Sequence, residues 1–421
     1  MSRLCESTRR AWQRAKSAFA AFVARRDPAE WFIALTLMGL FVFLLRCLID
    51  GESALTGVLF RGGEDLFMDF FHPVRDAASG VGVYTIYGSI YPPLSNAVLF
   101  LISRVMPVGY LALPKEAAAE WKNYPAAILC FVCFAVLSWL VLALLLGRGP
   151  WRGGKKALFL AAALCSFPML FLLERGNTMP LCLAAMLVYV QNYESENKAA
   201  REGALVALAV ATALKFYPVL LGLTLLADRR FRDAAHAAIY GLFCLFLPSA
   251  FYHGPISVFW AIRYTLGFSR AQTALSTEFM AQNGIPLRLG GAALICFYIL
   301  LAVFAVVYAA AERKPWKSWM VAASVTVTMP SIFSSYNWLL YLPAMFLFFA
   351  TEKLRGRNLL YFFFLTIPFF TYPPRPWQDG ILVTCLIGLF ALHIFDAAQN
   401  WRRLLRERKA KKASAENEIG A

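Results

Sequence analysis

Three short polar stretches in a strongly apolar chain carry residue types able to do chemistry. The first, FMDFFHPVRD at 67–76, places Asp69, His72, Arg75 and Asp76 close together. The second is the compact knot Glu174-Arg175-Gly176-Asn177 between two apolar blocks. The third is Lys215, in the context Ala-Leu-Lys-Phe-Tyr-Pro. Asp69 stands among Phe67, Phe70 and Phe71, a surround that predicts desolvation and a readily protonated carboxyl. Such a group can take the proton of a hydroxyl nucleophile. The structural alternative is a helix cap, or a partner for Arg75 or His72.

Lys215 lies near the middle of an apolar block, where a lysine costs about 2.5–3.5 kcal/mol, so it should face a cavity or a partner. A compact ammonium in a poorly hydrated site suits a phosphate. The plainer alternatives are a snorkelling side chain or an ion pair with Glu174. Arg175 offers a second cation for the same phosphate. Equally, its turn reads as an ordinary connection with Gly176 in a left-handed conformation. No Gly-rich phosphate loop, Ser-His-Asp arrangement or metal-ligand cluster stands out. With only 4 His, no His-built metal site is expected, and no cofactor.

The elements that position these residues are membrane helices. The 421 residues are 60% hydrophobic and 16% charged, against about 45–50% and about 25% in a soluble domain. The apolar residues fall in blocks near the roughly 20 residues that a helical crossing needs. The net charge of +16 comes from Lys and Arg in runs between those blocks. That pattern belongs to cytoplasmic loops and anionic headgroups, and no nucleic-acid partner is expected. Nine cysteines, mostly inside apolar blocks, imply no disulfide framework, and the Cys130/Cys133 pair reads as packing.

In order, residues 1–30 read as a basic, amphipathic cytoplasmic N-terminus without a cleavable leader. A first span covers about Trp31 to Ile49, and the loop 50–90 then faces outward. A second span is expected from Tyr91 to Pro107, started by Pro92-Pro93, since proline suits a first helical turn. The third runs from Tyr124 to Leu146, the fourth from Ala157 to Leu173, a short fifth from Thr178 to Val190, and the sixth from Gly203 to Ala227. A second outer loop is placed at 253–286, and residues 401–421 read as a basic cytoplasmic tail, disordered past Ala413. The domain between, 31–400, is thus an all-α polytopic bundle of about twelve transmembrane helices with a structured first extracytoplasmic loop. Alternation puts every basic run inside except Arg148 to Lys156, which falls outside, against the positive-inside rule: either the run is a real exception or two neighbouring blocks are re-entrant.

Taken together, these blocks resemble the GT-C glycosyltransferases, and within them the polyprenol-phosphate-mannose-dependent mannosyltransferases of DUF2029. Carrying the likeness are Asp69, Ala77 to Tyr84 and Tyr91 to Leu94, then Arg175-Gly176-Asn177 and Ala213 to Pro218, closed by Asp228-Arg229-Arg230. A looser third block holds Ala281 to Arg288 and Ser334 to Pro343. The chain departs from the pattern in lacking the turn's Gln and in reading Tyr336-Asn337-Trp338 where an Asp/His pair often stands.

The resemblance implies inverting transfer of a hexose, mannose first, from a polyprenyl-phosphate sugar donor to the hydroxyl of a glycan or lipid-linked acceptor. It implies a multi-pass protein of the cell membrane with an extracytoplasmic active site. Asp69 is then the base and Lys215 the ligand of the donor phosphate. Arg175 and Arg288 are further phosphate candidates, with Tyr91, Asn177 and Asn283 positioning the substrates. Rival readings are a transporter or lipid flippase, which should show repeated halves that this chain lacks, a non-catalytic partner in envelope synthesis, or a GT-C enzyme for arabinofuranose or glucose.

Overall fold

The computed structural model describes residues 26–60, 66–272, 292–328 and 334–419. The N-terminal stretch before residue 26, and Asn283 and Arg288 of the second outer loop, lie outside the described residues. Every regular element among the described residues is helical.

Helix α1 (Pro28–Asp50) shows how the chain marks its ends. Pro28 opens the first turn, the Asp27 carboxylate accepts from Glu30 N at 2.9 Å, and Gly51 stops the helix at φ +65°. Helix α2 (Glu52–Val58) and the amphipathic α3 (Met68–Ala78) lie in the segment 50–90. Then come α4 (Pro93–Ser103), opened by Pro93 as expected, and α5 (Pro125–Leu146). Helices α6 (Gly153–Leu164) and α7 (Phe167–Arg175) follow, with α8 (Met179–Asn192) and α9 (Lys198–Leu214). A 3₁₀ turn at Tyr217–Gly222 and a short helix at Leu223–Ala227 lead to α10 (Phe231–Phe246) and α11 (Ile256–Gln272). The last are α12 (Ala292–Ala311), α13 (Pro315–Thr328), α14 (Leu342–Thr351), α15 (Arg357–Phe370) and α16 (Arg375–Ile419).

Four of the described helices are long and apolar enough to cross a bilayer: Pro28–Asp50, Pro125–Leu146, Phe231–Phe251 and Arg375–Ala410. A fifth is added if α6 and α7, bent by 51°, are one span. Helix length therefore supports a polytopic membrane protein but does not deliver a dozen full spans. The long helices leave Phe41 and Leu48 of α1, Leu137 and Leu144 of α5 and Phe243 of α10 exposed, as lipid-facing surfaces require. The packed interior is built on Trp316, Trp319, Trp338, Tyr341, Tyr361 and Phe32.

Two expected spans fold differently, and the sidedness changes with them. The block from Tyr91 to Pro107 is helical only over Pro93–Ser103, about 16 Å long and too short to cross. Phe67 lies before it and Trp121 after it, yet their rings are 5.5 Å apart, so the chain enters and leaves this region at one end. The sixth block is a hairpin. Its arms part at Lys215, and Arg230 Nη2 returns to donate to Tyr193 O at 2.7 Å, beside the start of α9. Pro218 is the physical reason: a continuous helix would need its N–H to reach Leu214 O, and proline has none.

The run Arg148 to Lys156 consequently shares the end where α1 begins. Lys155 pairs with Asp27 and, at 3.3 Å, with Glu30. Of the two alternatives for this run, the structure fits neighbouring blocks that do not cross, since Pro93–Ser103 is too short to span. Arg230, Arg313, Lys314 and Arg357 lie toward that same basic end. Arg313 pairs with Glu407 at 2.7 Å and Lys314 with Glu352 at 2.7 Å. The tail, expected to lose structure past Ala413, continues α16 to Ile419. Its Lys, Arg, Ala and Glu residues are good helix formers.

Glu352 stitches this end together, accepting from Lys314 Nζ, from Trp316 Nε1 at 2.8 Å and from Asn358 Nδ2 at 2.7 Å. Burial alone would raise its carboxyl, but those donors outweigh it and hold the group below the usual 4.5. A carboxyl depressed by folding contributes stability above its unfolded value and loses it as the pH falls. Glu352→Gln is expected to lower stability by about 2 kcal/mol at neutral pH. The deficit should vanish on acidification below about 4.5, read as melting temperature in detergent against pH.

Candidate functional site

The candidate residues meet where the segment 50–90 approaches the polar knot. Phe67 N donates to Glu174 O at 2.8 Å, which sets the first turn of α3 over the last turn of α7. Asp69 then faces Arg175 in a two-point contact, Nη2 to Oδ1 at 2.5 Å and Nε to Oδ2 at 3.2 Å. Asn177 Nδ2 donates to the same Oδ2 at 3.3 Å. Both charged side chains keep some access, with 17% of Asp69 and 21% of Arg175 exposed. Arg75, one structural partner weighed for Asp69, is engaged elsewhere, donating to Pro114 O at 2.9 Å and to Asp76 at 3.1 Å.

The aromatic surround expected of Asp69 is corrected as well. Phe70 and Phe71 are fully buried against Phe131, with Phe71 stacked on Trp121 at 5.1 Å. Successive helical side chains point about 100° apart, so rings adjacent in sequence need not enclose the carboxylate. What encloses it is a guanidinium and an amide.

Gly176 makes the knot possible. Its φ is +74°, and a Cβ there would stand 2.9 Å from Phe131 and 3.1 Å from the Phe70 Cβ. Gly176→Ala is expected to destabilise the fold by about 2 kcal/mol through strain and crowding together. The check is a lowered melting temperature accompanied by lost transfer activity. Beyond the glycine, Asn177 Oδ1 accepts from Met179 N at 2.8 Å and fixes the start of α8.

Lys215 arrives from the tip of the hairpin. It caps α9 with extended backbone, φ −146° and ψ 129°, and is not at a helix centre. Its Nζ lies 4.5 Å from the centroid of the Tyr91 ring, a cation–π contact. The ion pair once open to it goes elsewhere, since Glu174 binds Arg375 Nη2 at 2.6 Å. Tyr91 is anchored through its backbone: its carbonyl accepts from Tyr84 Oη at 2.8 Å and Asn96 Nδ2 at 3.1 Å, and its N–H donates to Ser89 Oγ at 3.2 Å.

These groups lie close together: Asp69 is within electrostatic reach of Lys215, of Tyr91 and of Tyr336, and Tyr336 is within reach of Arg175 and Asn177. Asp69, Arg175, Asn177, Lys215 and Tyr91 are therefore brought together. Arg288 and Asn283 lie outside the described residues. Two tyrosines went unassigned in the sequence. Tyr217 donates to Met179 Sδ at 3.0 Å and lies within electrostatic reach of Tyr91 and Tyr336. The signals were present, Tyr217 inside the Ala-Leu-Lys-Phe-Tyr-Pro block and Tyr336 at a polar break between apolar blocks.

Chemically, the arrangement offers one carboxylate acceptor, two cations and several tyrosine hydroxyls against a buried wall. That set can take a proton at Asp69 while holding an anion at Arg175 and Lys215. A separate polar cavity of about 410 Å³ lies at the basic end, lined by Tyr193, Asp228, Arg230 and Trp319 among others. None of the candidate residues borders it.

A family model, Glycosyltransferase family 87, matches residues 89–335, more than half of the chain. No curated protein and no solved structure matches. The matched range takes in Tyr91, Arg175, Asn177 and Lys215 and begins after Asp69.

Proposed function

The chain belongs to glycosyltransferase family 87, and from that premise we propose that it transfers a hexose, mannose first, from a polyprenyl-phosphate sugar to an acceptor hydroxyl with inversion at the anomeric carbon. The observation that carries this reading is the Asp69–Arg175–Asn177 cluster with Lys215 beside it, at the end of the molecule opposite the basic loops. With the basic end cytoplasmic, the cluster faces the extracytoplasmic side of the cell membrane. A glycan or lipid-linked acceptor would reach it there, without a nucleotide sugar.

In this mechanism Asp69 accepts the acceptor's hydroxyl proton as the acceptor oxygen bonds to the anomeric carbon. The bond from that carbon to the phosphate oxygen breaks, and its electron pair stays on the phosphate. Arg175 and Lys215 hold the negative charge that develops there, in a site from which water is largely excluded. Inversion needs only this one positioned base and a stabilised leaving group.

The contact between Asp69 and Arg175 adds an order to events. With the guanidinium bonded to both of its oxygens, the Asp69 carboxylate is occupied. A donor phosphate entering beside Lys215 competes for Arg175 and releases Asp69 for the acceptor. The base is thereby exposed only once a donor is bound, which limits wasteful attack by water.

The test is transfer of radiolabel from polyprenyl-phosphate mannose, with glucose and arabinofuranose donors in parallel, by purified protein in lipid. Label must move into an acceptor and polyprenyl phosphate must be released. Failure with every polyprenyl-phosphate donor would overturn the reading.

A further inference from the structure

Outside the family-matched range, α16 begins with an arginine that no step of the proposed reaction uses. Arg375 Nη2 donates to Glu174 Oε1 at 2.6 Å, and its Nε approaches Thr56 O of α2 at 3.5 Å. Three residues on, Gln378 Nε2 donates to Val58 O at 2.9 Å. The first turn of α16 is thus tied both to the outer loop that precedes α3 and to the last turn of α7.

Glu174 is the unusual partner. It is 97% buried, being 3% exposed, and its Oε2 has no hydrogen-bond partner among the described residues. Arg375 is the one side chain seen to bond this carboxylate. Glu174 is also the immediate neighbour of Arg175, and its backbone carbonyl holds Phe67 N, two residues before Asp69.

We propose that Arg375 is a positioning residue for the Asp69–Arg175 pair, acting through Glu174: it neutralises a buried carboxylate whose own backbone carbonyl holds Phe67 N, two residues before Asp69. This rests on the transferase reading above. A buried charge left without its partner is strongly unfavourable. With Arg375 gone, the last turn of α7 must shift to bring the Glu174 carboxylate toward water, and the carbonyl that sets Asp69 opposite Arg175 shifts with it. Removing the carboxylate's charge together with the arginine relieves that demand.

The experiment compares wild type with Arg375→Gln, Arg375→Lys and the double variant Arg375→Gln/Glu174→Gln. Arg375→Gln is expected to raise the donor KM by about tenfold, the size of a coupling between neighbouring charged groups. The double variant, with no buried charge left unmatched, should recover most of the loss, and Arg375→Lys should recover part. A merely structural role would lower the melting temperature of both glutamine variants and would not return the KM in the double. An unchanged KM in Arg375→Gln, or no recovery in a double variant that melts like wild type, overturns the proposal.

A second readout uses decaprenyl phosphate, the donor without its sugar, binding to each variant as a melting-temperature shift. If wild type transfers no sugar but binds decaprenyl phosphate, and Arg375→Gln binds it about tenfold more weakly with recovery in the double, the transferase reading fails and the positioning role stands. Equal binding by wild type and Arg375→Gln, or no binding by wild type, overturns the positioning role.

Discussion

Asp69→Asn is expected to lower kcat by about a thousandfold while leaving donor binding in place, the range in which loss of a general base falls. The asparagine oxygen can still accept from Arg175, and the volume is unchanged, so the cluster should stay assembled. What disappears is a group able to hold the acceptor's proton. The amide NH₂ would also face Asn177 Nδ2, now 3.3 Å from Asp69 Oδ2, and some loss of melting temperature should follow. Single-turnover transfer with saturating donor separates the two effects, because weakened packing cannot remove activity from protein that remains folded and binds donor. Full single-turnover activity of this variant would remove Asp69 as the base. Since Asp69 precedes the family-matched residues 89–335, this measurement also tests a role that the family match does not cover.

The second large effect is expected of Lys215→Met. Methionine keeps an unbranched apolar stem in the same half-buried space, and the ammonium's contact with the Tyr91 ring is lost. Removing one preorganised donor from a developing anion costs about 100- to 1,000-fold in rate. The loss should fall on kcat/KM for the donor, since the phosphate is held before the reaction and gains charge during it. Lys215→Arg should recover only part, because a planar fork does not replace a point charge over the same ring. A Lys215→Met variant with wild-type kcat/KM would show that the lysine faces a structural partner instead. Because removing a poorly hydrated ammonium relieves its desolvation and gives up only one cation–π contact, the melting temperature should hold or rise.

The reaction order inferred from the closed Asp69–Arg175 contact bears on both results. In the Lys215 variant the phosphate is less able to draw Arg175 away, so Asp69 stays engaged for longer. The two substitutions should therefore be non-additive, as residues acting as one unit are. The double variant is expected to fall little below Asp69→Asn alone.

Much of this protein is written in its residue order. The apolar blocks and the basic runs between them determined the membrane setting, because burial of uncharged helix in lipid depends on composition and length alone. Pro93 at the start of α4, Gly176 in its left-handed turn and the choice of Asp69, Arg175 and Lys215 as the groups worth watching were also legible, since each follows from local chemistry. Partnership was not. That Asp69 binds Arg175, 106 residues away, that Glu174 binds Arg375, 201 away, and that Lys317 binds Asp396 in the interior are facts about helices meeting. The same holds for which blocks cross. An 11-residue helix at Pro93–Ser103 and a hairpin tipped by Lys215 read as two ordinary spans, because hydropathy registers how apolar a segment is and not where its ends are held. Only the tertiary structure brings the ends together, and so decides that the run from Arg148 to Lys156 sits beside Asp27 and that Asp69 meets Arg175.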